Sequence, residues 1–183
     1  MKDLKNRVAI VTGSSSGVGA ATSRLLASFG CHVVINYNTN EKGANAVAGD
    51  CTAQGAEAIV IKGNVAEDND CVAMANAAIE RWGRIDVLVN NAGTTKFVDH
   101  TNLEGLDDND FYRIYGVNVI GAYQMVRACN EQMQKQDEGG AVINVASTAG
   151  VTGVGSCVAY AASKGAMVTM TLSLARALGP KLR

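Results

Sequence analysis

No run of lysine or arginine occurs anywhere in the chain, whose formal net charge is only -1. That balance argues against nucleic acid or an anionic membrane as the main partner. Long apolar runs are missing too. The opening "MKDLKNRVAIVTG" places charges before a short apolar stretch that ends at glycine. It is too short to cross a bilayer and lacks a small-residue cleavage site, so it reads as a strand and the protein is expected to be cytoplasmic. The cysteines, at 31, 51, 71, 129 and 157, form no C-x-x-C pair, and they are odd in number and widely spaced. A disulfide framework or zinc site is thereby disfavoured, and buried free thiols are expected. The two histidines, His32 beside a strand and His100 in a polar loop, have no nearby ligand partners, so no metal is expected. Trp82, the one tryptophan, reads as a packing residue. Proline is all but absent, Pro180 being the single example, and no low-complexity tract or linker interrupts the sequence. The 183 residues are expected to form one domain, 1–183, large enough to bury about 70% of its unfolded surface.

What the chain does contain is a regular alternation. Short Val/Ile-rich runs occur at 7–12, 32–37, 57–62, 85–90 and 141–146. They do not alternate with polar residues, as suits strands buried on both faces. Helical patterns over 17–29, 41–54, 68–82, 108–135 and 158–179 lie between and after them. Strand–helix alternation of this kind predicts an α/β fold: a Rossmann-type, doubly wound parallel sheet with helices on both faces. In such sheets ligands bind beyond the carboxyl ends of the strands, where the strand order reverses. Each polar or glycine-rich cluster in this sequence falls just after a strand.

The first cluster is "TGSSSGVG", containing Thr12, Gly13, Ser15, Ser16, Gly17, Val18 and Gly19. It opens a helix, so free N–H groups and the helix dipole point where a pyrophosphate could sit. Glycine lets the backbone turn tightly and lets a phosphate approach it. The spacing is not G-x-G-x-x-G, and no phosphate-binding G-x-x-x-x-G-K-[ST] loop is present. A fold that binds NAD usually offers a carboxylate to the adenosine ribose about twenty residues further on. Here the second strand ends in "NYNTN", so Tyr37 and Asn38 occupy that place without an acid. NADP(H) is therefore favoured over NAD(H), although no arginine stands at Ser16 or Asn38 to grip a 2′-phosphate.

The segment "CVAYAASKGAM", 157–167, sets a phenol and an ammonium four residues apart in an otherwise small and apolar helix. Taken with "TGSSSGVG", "NNAG" at 90–93 and Ser147, it resembles the ordered motif set of the short-chain dehydrogenases/reductases, nearest the 3-oxoacyl-acyl-carrier-protein reductase or glucose-dehydrogenase-like branch. The resemblance implies hydride transfer between NADP(H) and a carbonyl or alcohol substrate, a class that includes substrates bound to acyl-carrier protein. It implies that Tyr160 is the acid/base, Lys164 its electrostatic partner and a ribose ligand, and Ser147 the hydrogen-bond partner of the substrate oxygen. It further implies that Asn118, in "VNVIG", kinks a helix and orders a proton-relay water. Asn91, Ala92 and Gly93 would pass the adenine side of the cofactor. The chemistry of the pair agrees: a phenol is a poor base near neutrality, and an ammonium one turn away favours its ionised form.

Two departures qualify the resemblance. In "GNV", Asn64, followed by Val65, stands where the family commonly has an aspartate that meets adenine. The chain also stops at "LGPKLR", where relatives continue through further strands and a substrate-covering segment, so the substrate pocket is expected to be incomplete. Two other functions remain open on the sequence, a nucleotide-binding fragment or regulator without turnover and an S-adenosylmethionine methyltransferase, though the latter leaves Tyr160–Lys164 unexplained. Between Val158 and Leu178 the only charges are Lys164 and Arg176, and the segment 108–135 carries the stripe Ile114, Val117, Gly121, Met125, Ala128. Helices so apolar need cover, which predicts a homo-oligomer, a dimer or tetramer, built by pairing them with a two-fold mate.

Overall fold

A computed structural model describes residues 4–183. Five strands, β1 (Val8–Val11), β2 (His32–Tyr37), β3 (Ala58–Lys62), β4 (Val87–Asn90) and β5 (Ala141–Asn144), form one sheet in the order β3-β2-β1-β4-β5. Every pairing is parallel. The non-alternating strand sequences follow from this arrangement, because both faces are covered. On β1, Val8 and Ile10 enter one core with Met74, Leu88 and Met125, while Val11 enters the other with Val33, Ile35 and Val47. Side chains at i and i+2 share a face, so one apolar run feeds two cores.

Helices α1 (Gly17–Ser28) and α2 (Glu41–Ala53) cover the second of these cores; α3 (Asp68–Trp82) and the long segment before β5 cover the first. That long segment, expected as one helix over 108–135, is instead three pieces in succession: α4 (Asp108–Tyr115), a π-helical turn Gly116–Ile120, and α5 (Gly121–Lys135). Asp107 and Asp110 close a capping box that fixes its start. At Gly121 the helix passes so near the loop after β3 that a Cβ would stand 2.7 Å from Val65 Cγ2. A short α6 (Ala149–Thr152) follows β5 and was not expected. The last helix, α7 (Val158–Leu178), is capped at its start by Cys157, whose Sγ accepts from the Tyr160 N–H. Residues beyond α7 return to the sheet, where Leu182 bridges in parallel to Gly140.

All five cysteines are buried and unpaired, as their spacing implied. Among the described residues no helix is long and apolar enough to cross a membrane. Strand order reverses at β1, whose successors β2 and β4 lie on opposite sides of it. The carboxyl ends of β1 and β4 therefore flank the crevice in which this architecture binds ligands.

Candidate active site

The turns after β1 and β4 are laced together. Thr12 Oγ1 accepts from the N–H groups of Asn91 and Ala92, each at 3.0 Å, and Asn91 Nδ2 donates to the carbonyls of Thr12 (2.9 Å) and Gly13 (3.2 Å). Asn36, on β2, holds the same turn from the other side: its Oδ1 accepts from Gly13 N–H at 2.9 Å and its Nδ2 donates to Gly63 O at 3.0 Å. A Cβ at Gly19 would stand 2.5 Å from Asn91 Nδ2, so that position requires glycine for packing. Gly17 differs. Its φ is +56° and nothing lies within 4 Å of a Cβ built there, so it serves the turn and leaves the space above open.

Beyond these turns lies a cleft of about 680 Å³, edged by Gly13, Ser15 and Ser16 from the first loop, Asn38 after β2, and Asn64 and Val65 after β3. Ser16, the N-cap of α1, gives no side-chain cap, so the first amides of that helix take no oxygen from it. Free amides at a helix start can meet an anionic group. Asn64 turns its own loop, its Oδ1 accepting from Ala66 N–H at 3.1 Å while its N–H donates to Asp70.

Three residues expected to contact the cofactor do not present their side chains to the cleft. Thr12 is fully buried and its hydroxyl is spent on the 91–92 turn, so it shapes the cleft from beneath. The Val18 side chain is exposed on α1 and does not edge the cleft. Tyr37 packs into the second core with Val33 and Ala44, because the odd-numbered residues of β2 share the face that α1 and α2 cover. Its phenol lies against Glu41; burial and then that carboxylate push it above the ordinary tyrosine range. Asn38, one residue on, is the side chain that reaches the cleft.

Gly93 and Thr94 also edge a second lobe of about 460 Å³, bounded across from them by Tyr160 and Lys164. Lys164 is 4% exposed. Its Nζ donates to Val145 O at 2.7 Å and stands 5.8 Å from the Tyr160 ring centroid. Burial lowers its pKa, since desolvation disfavours the charged form. One turn of α7 separates the ammonium from the phenol. That turn is held by α6: a Cβ at Gly150 would meet Lys164 C at 2.5 Å, so only glycine permits the approach. Ser147, just after the lobe-lining Ala146, accepts from Ala149 N–H at 3.2 Å.

Asn118 sits in the π turn, wholly buried, with both amide protons and its oxygen bonded to protein. Its Oδ1 accepts from Thr94 N–H (2.8 Å), and its Nδ2 donates to Thr94 O (3.0 Å) and Ser163 Oγ (3.0 Å). Ser163 in turn donates to Tyr160 O at 2.7 Å. The side chain thus ties the floor between the two lobes to the turn of α7 that carries the phenol. A π turn places it there by widening the helix locally. Sequence reading missed Asn36, Arg113 and Ser156. Arg113 edges the cleft and donates to Thr94 Oγ1 at 2.9 Å. Asn36 carried a signal, a polar residue inside an apolar strand, whereas the other two acquire a place only through the contact of distant segments.

Comparison with known proteins bears on this geometry. The profile of the family described as short chain dehydrogenase matches residues 7–182. A 3-oxoacyl-[acyl-carrier-protein] reductase of Synechocystis is 35% identical over 181 residues, 99% of this chain and 72% of that protein. Among solved structures, a protein of Burkholderia xenovorans assigned to the short-chain dehydrogenases/reductases superposes with a TM-score of 0.94 at 42% identity, over 97% of this chain and 74% of that one. A xylitol dehydrogenase with NAD+ bound gives a TM-score of 0.91 at 30% identity, over 100% of this chain and 69% of that one.

Proposed function

This chain belongs to the short-chain dehydrogenase family, and on that premise we propose that it transfers hydride between NADP(H) and a carbonyl or alcohol substrate, with Tyr160, Lys164, Ser147 and Asn118 as its working residues. The observation that carries the reading is the joining of two lobes at Gly93 and Thr94, one edged by the glycine turn, the other by Tyr160 and Lys164. A dinucleotide fits the first lobe: the turn at Gly17 is open above, the start of α1 is uncapped by a side chain, and polar side chains from three strand ends edge the space. When bound, it supplies the hydride or accepts it.

The chain's own residues handle the proton and the orientation. Tyr160 gives a proton to the substrate oxygen in reduction and takes one in oxidation. Lys164, fixed by Val145 O, stands one turn of α7 beyond Tyr160 and offers its ammonium to the cofactor ribose. Ser147 hydrogen-bonds the substrate oxygen. Asn118 holds Thr94 and, through Ser163, the Tyr160 turn. The NADP(H) preference rests on the ribose end of the cleft: Asn38, Thr39 and Asn40 edge it without a carboxylate, and Glu41 lies against the Tyr37 phenol. A substrate carried on acyl-carrier protein is one instance of the class. The chain works as one domain in the cytoplasm and as a homo-oligomer, dimer or tetramer; the expected stripe does not face a mate, since Ile114, Gly121 and Met125 are buried within the chain, and Val168 and Leu172 on α7 with Tyr112 and Tyr123 on the α4–α5 segment supply the exposed apolar surface instead. Light scattering that returns a monomer at micromolar concentration would remove the oligomer.

The decisive test is a pair of variants. Tyr160→Phe should abolish ketone-dependent NADPH oxidation and leave NADPH affinity within about twofold, because the phenol acts on substrate. Lys164→Met should weaken both, by disturbing the phenol and the cofactor side together. Substantial turnover in Tyr160→Phe ends this reading.

A further inference from the structure

The second lobe contains more hydroxyl groups than one reacting carbonyl needs. Of its polar side chains, Asn91 is spent on the glycine turn and Thr94 Oγ1 accepts from Arg113. Lys164 is held by Val145 O, and Tyr160 is assigned to the reacting oxygen. Thr95 and Ser156 remain. Their hydroxyls are hydrogen-bonded to each other and both residues line the lobe.

The pair is held by other contacts on both sides. Val98 N–H donates to Ser156 O at 2.9 Å, and the His100 ring bonds Gly155 O at 3.1 Å. The segment carrying Ser156 lies against the phenol itself: a Cβ at Gly155 would stand 3.5 Å from Tyr160 Cδ1. Ser156 stands just before the N-cap of α7, on which Tyr160 and Lys164 lie one turn apart, and all three line the lobe. Phe97, 87% exposed, forms the outer rim.

We propose that the Thr95–Ser156 hydroxyl pair is a second recognition point, selecting neutral substrates that carry a further oxygen beside the reacting carbonyl and an apolar extension toward Phe97. The two hydroxyls hold two protons, and the bond between them uses one. Where Ser156 donates to Thr95, the Thr95 proton bonds Lys96 O at 3.3 Å, a long contact that a ligand oxygen can replace; where Thr95 donates to Ser156, the Ser156 proton is the one left for a ligand. The pair can therefore donate to a second carbonyl or accept from a hydroxyl. Apart from Lys164, no charged side chain lines this lobe among the described residues, which suits an uncharged ligand. The inference rests on the hydride-transfer reading for the position of the reacting carbonyl.

The test measures binding as well as turnover. The full chain loaded with NADP+, which permits binding of ketones without their reduction, is titrated by NMR with ethyl acetoacetate, 4-hydroxy-2-butanone and 2-hexanone. At least one oxygenated probe should bind about three- to tenfold tighter than 2-hexanone, the range expected for one hydrogen bond. A preference for the ester assigns the second oxygen to a carbonyl; a preference for the hydroxyketone assigns it to a hydroxyl. In Ser156→Ala and Thr95→Val that preference should fall toward onefold while 2-hexanone and NADPH affinities hold, and Thr95→Ser should retain it. Equal binding of all three probes by the wild type overturns the proposal, and so does no detectable binding. A uniform loss for all probes in both variants also overturns it, since the pair would then be only a loop tether. Turnover is read separately with NADPH: binding preference without any NADPH oxidation defeats hydride transfer and leaves the recognition point standing.

Discussion

Removing the Asn118 side chain tests how the two lobes are held together. In Asn118→Ala three hydrogen bonds disappear at once, two to the backbone of Thr94 and one to Ser163 Oγ. Each is worth about 1 kcal/mol net, and a buried group left without a partner costs about 1–3 kcal/mol. Ser163 keeps its bond to Tyr160 O, so the stranded groups are the N–H and C=O of Thr94. Thr94 edges both lobes, so its freed groups can take water, and the three lost bonds alone set the loss at about 3 kcal/mol, a large part of the 5–15 kcal/mol typical of a domain. For a chain of this length that lowers Tm by roughly 10 °C. Urea unfolding followed by far-ultraviolet circular dichroism should show a lower midpoint at constant slope, as expected when stability changes and the exposed area does not. Asn109→Ala, at an exposed position on α4, serves as the control and should cost under about 0.5 kcal/mol. Because Thr94 edges both lobes, NADPH fluorescence titration should also show weaker binding by Asn118→Ala. A loss no greater than the control's would show that this amide does not hold the site.

Two further outcomes follow from the structure. Asn38→Asp sets a carboxylate at the ribose end of the cleft, and should lower NADPH affinity about tenfold or more while sparing NADH; unchanged NADPH binding would sink the cofactor preference. At the opposite end of the sheet, burial raises the Asp86 carboxyl, but bonds from Arg84, Val8 N–H and Arg7 outweigh it and hold the group below its ordinary range. A depressed carboxylate binds fewer protons folded than unfolded, so its contribution is full above the unfolded pKa and fades as pH falls through the folded one. Asp86→Asn should therefore destabilise near neutrality by about 3 kcal/mol and flatten the acid limb of a Tm–pH profile; an unchanged limb would place that acid sensitivity elsewhere.

The sequence by itself determined the alternation of strands and helices, their parallel pairing, and the helix that carries Tyr160 and Lys164. These are properties of local pattern: Val/Ile runs too short for helices, apolar on both faces, with glycine after the first. Each expected strand matches an observed one to within one or two residues at its ends. The π turn at Gly116–Ile120 was not legible, since "YGVNVIGAY" has helical periodicity and only the bonds from Asn118 to Thr94 and Ser163 show what the widened turn achieves. Tyr37 and Asn38 are adjacent and equally plausible in the sequence; the pleat of β2 sends one into the core and the other to the cleft. Arg113 and Ser156 gained their places only when α4 and the start of α7 met the loop after β4. Hydrophobic period fixes which residues are buried, but a site assembled from five loops depends on which carbonyls and amides those loops leave to be bonded, and that is settled only in three dimensions.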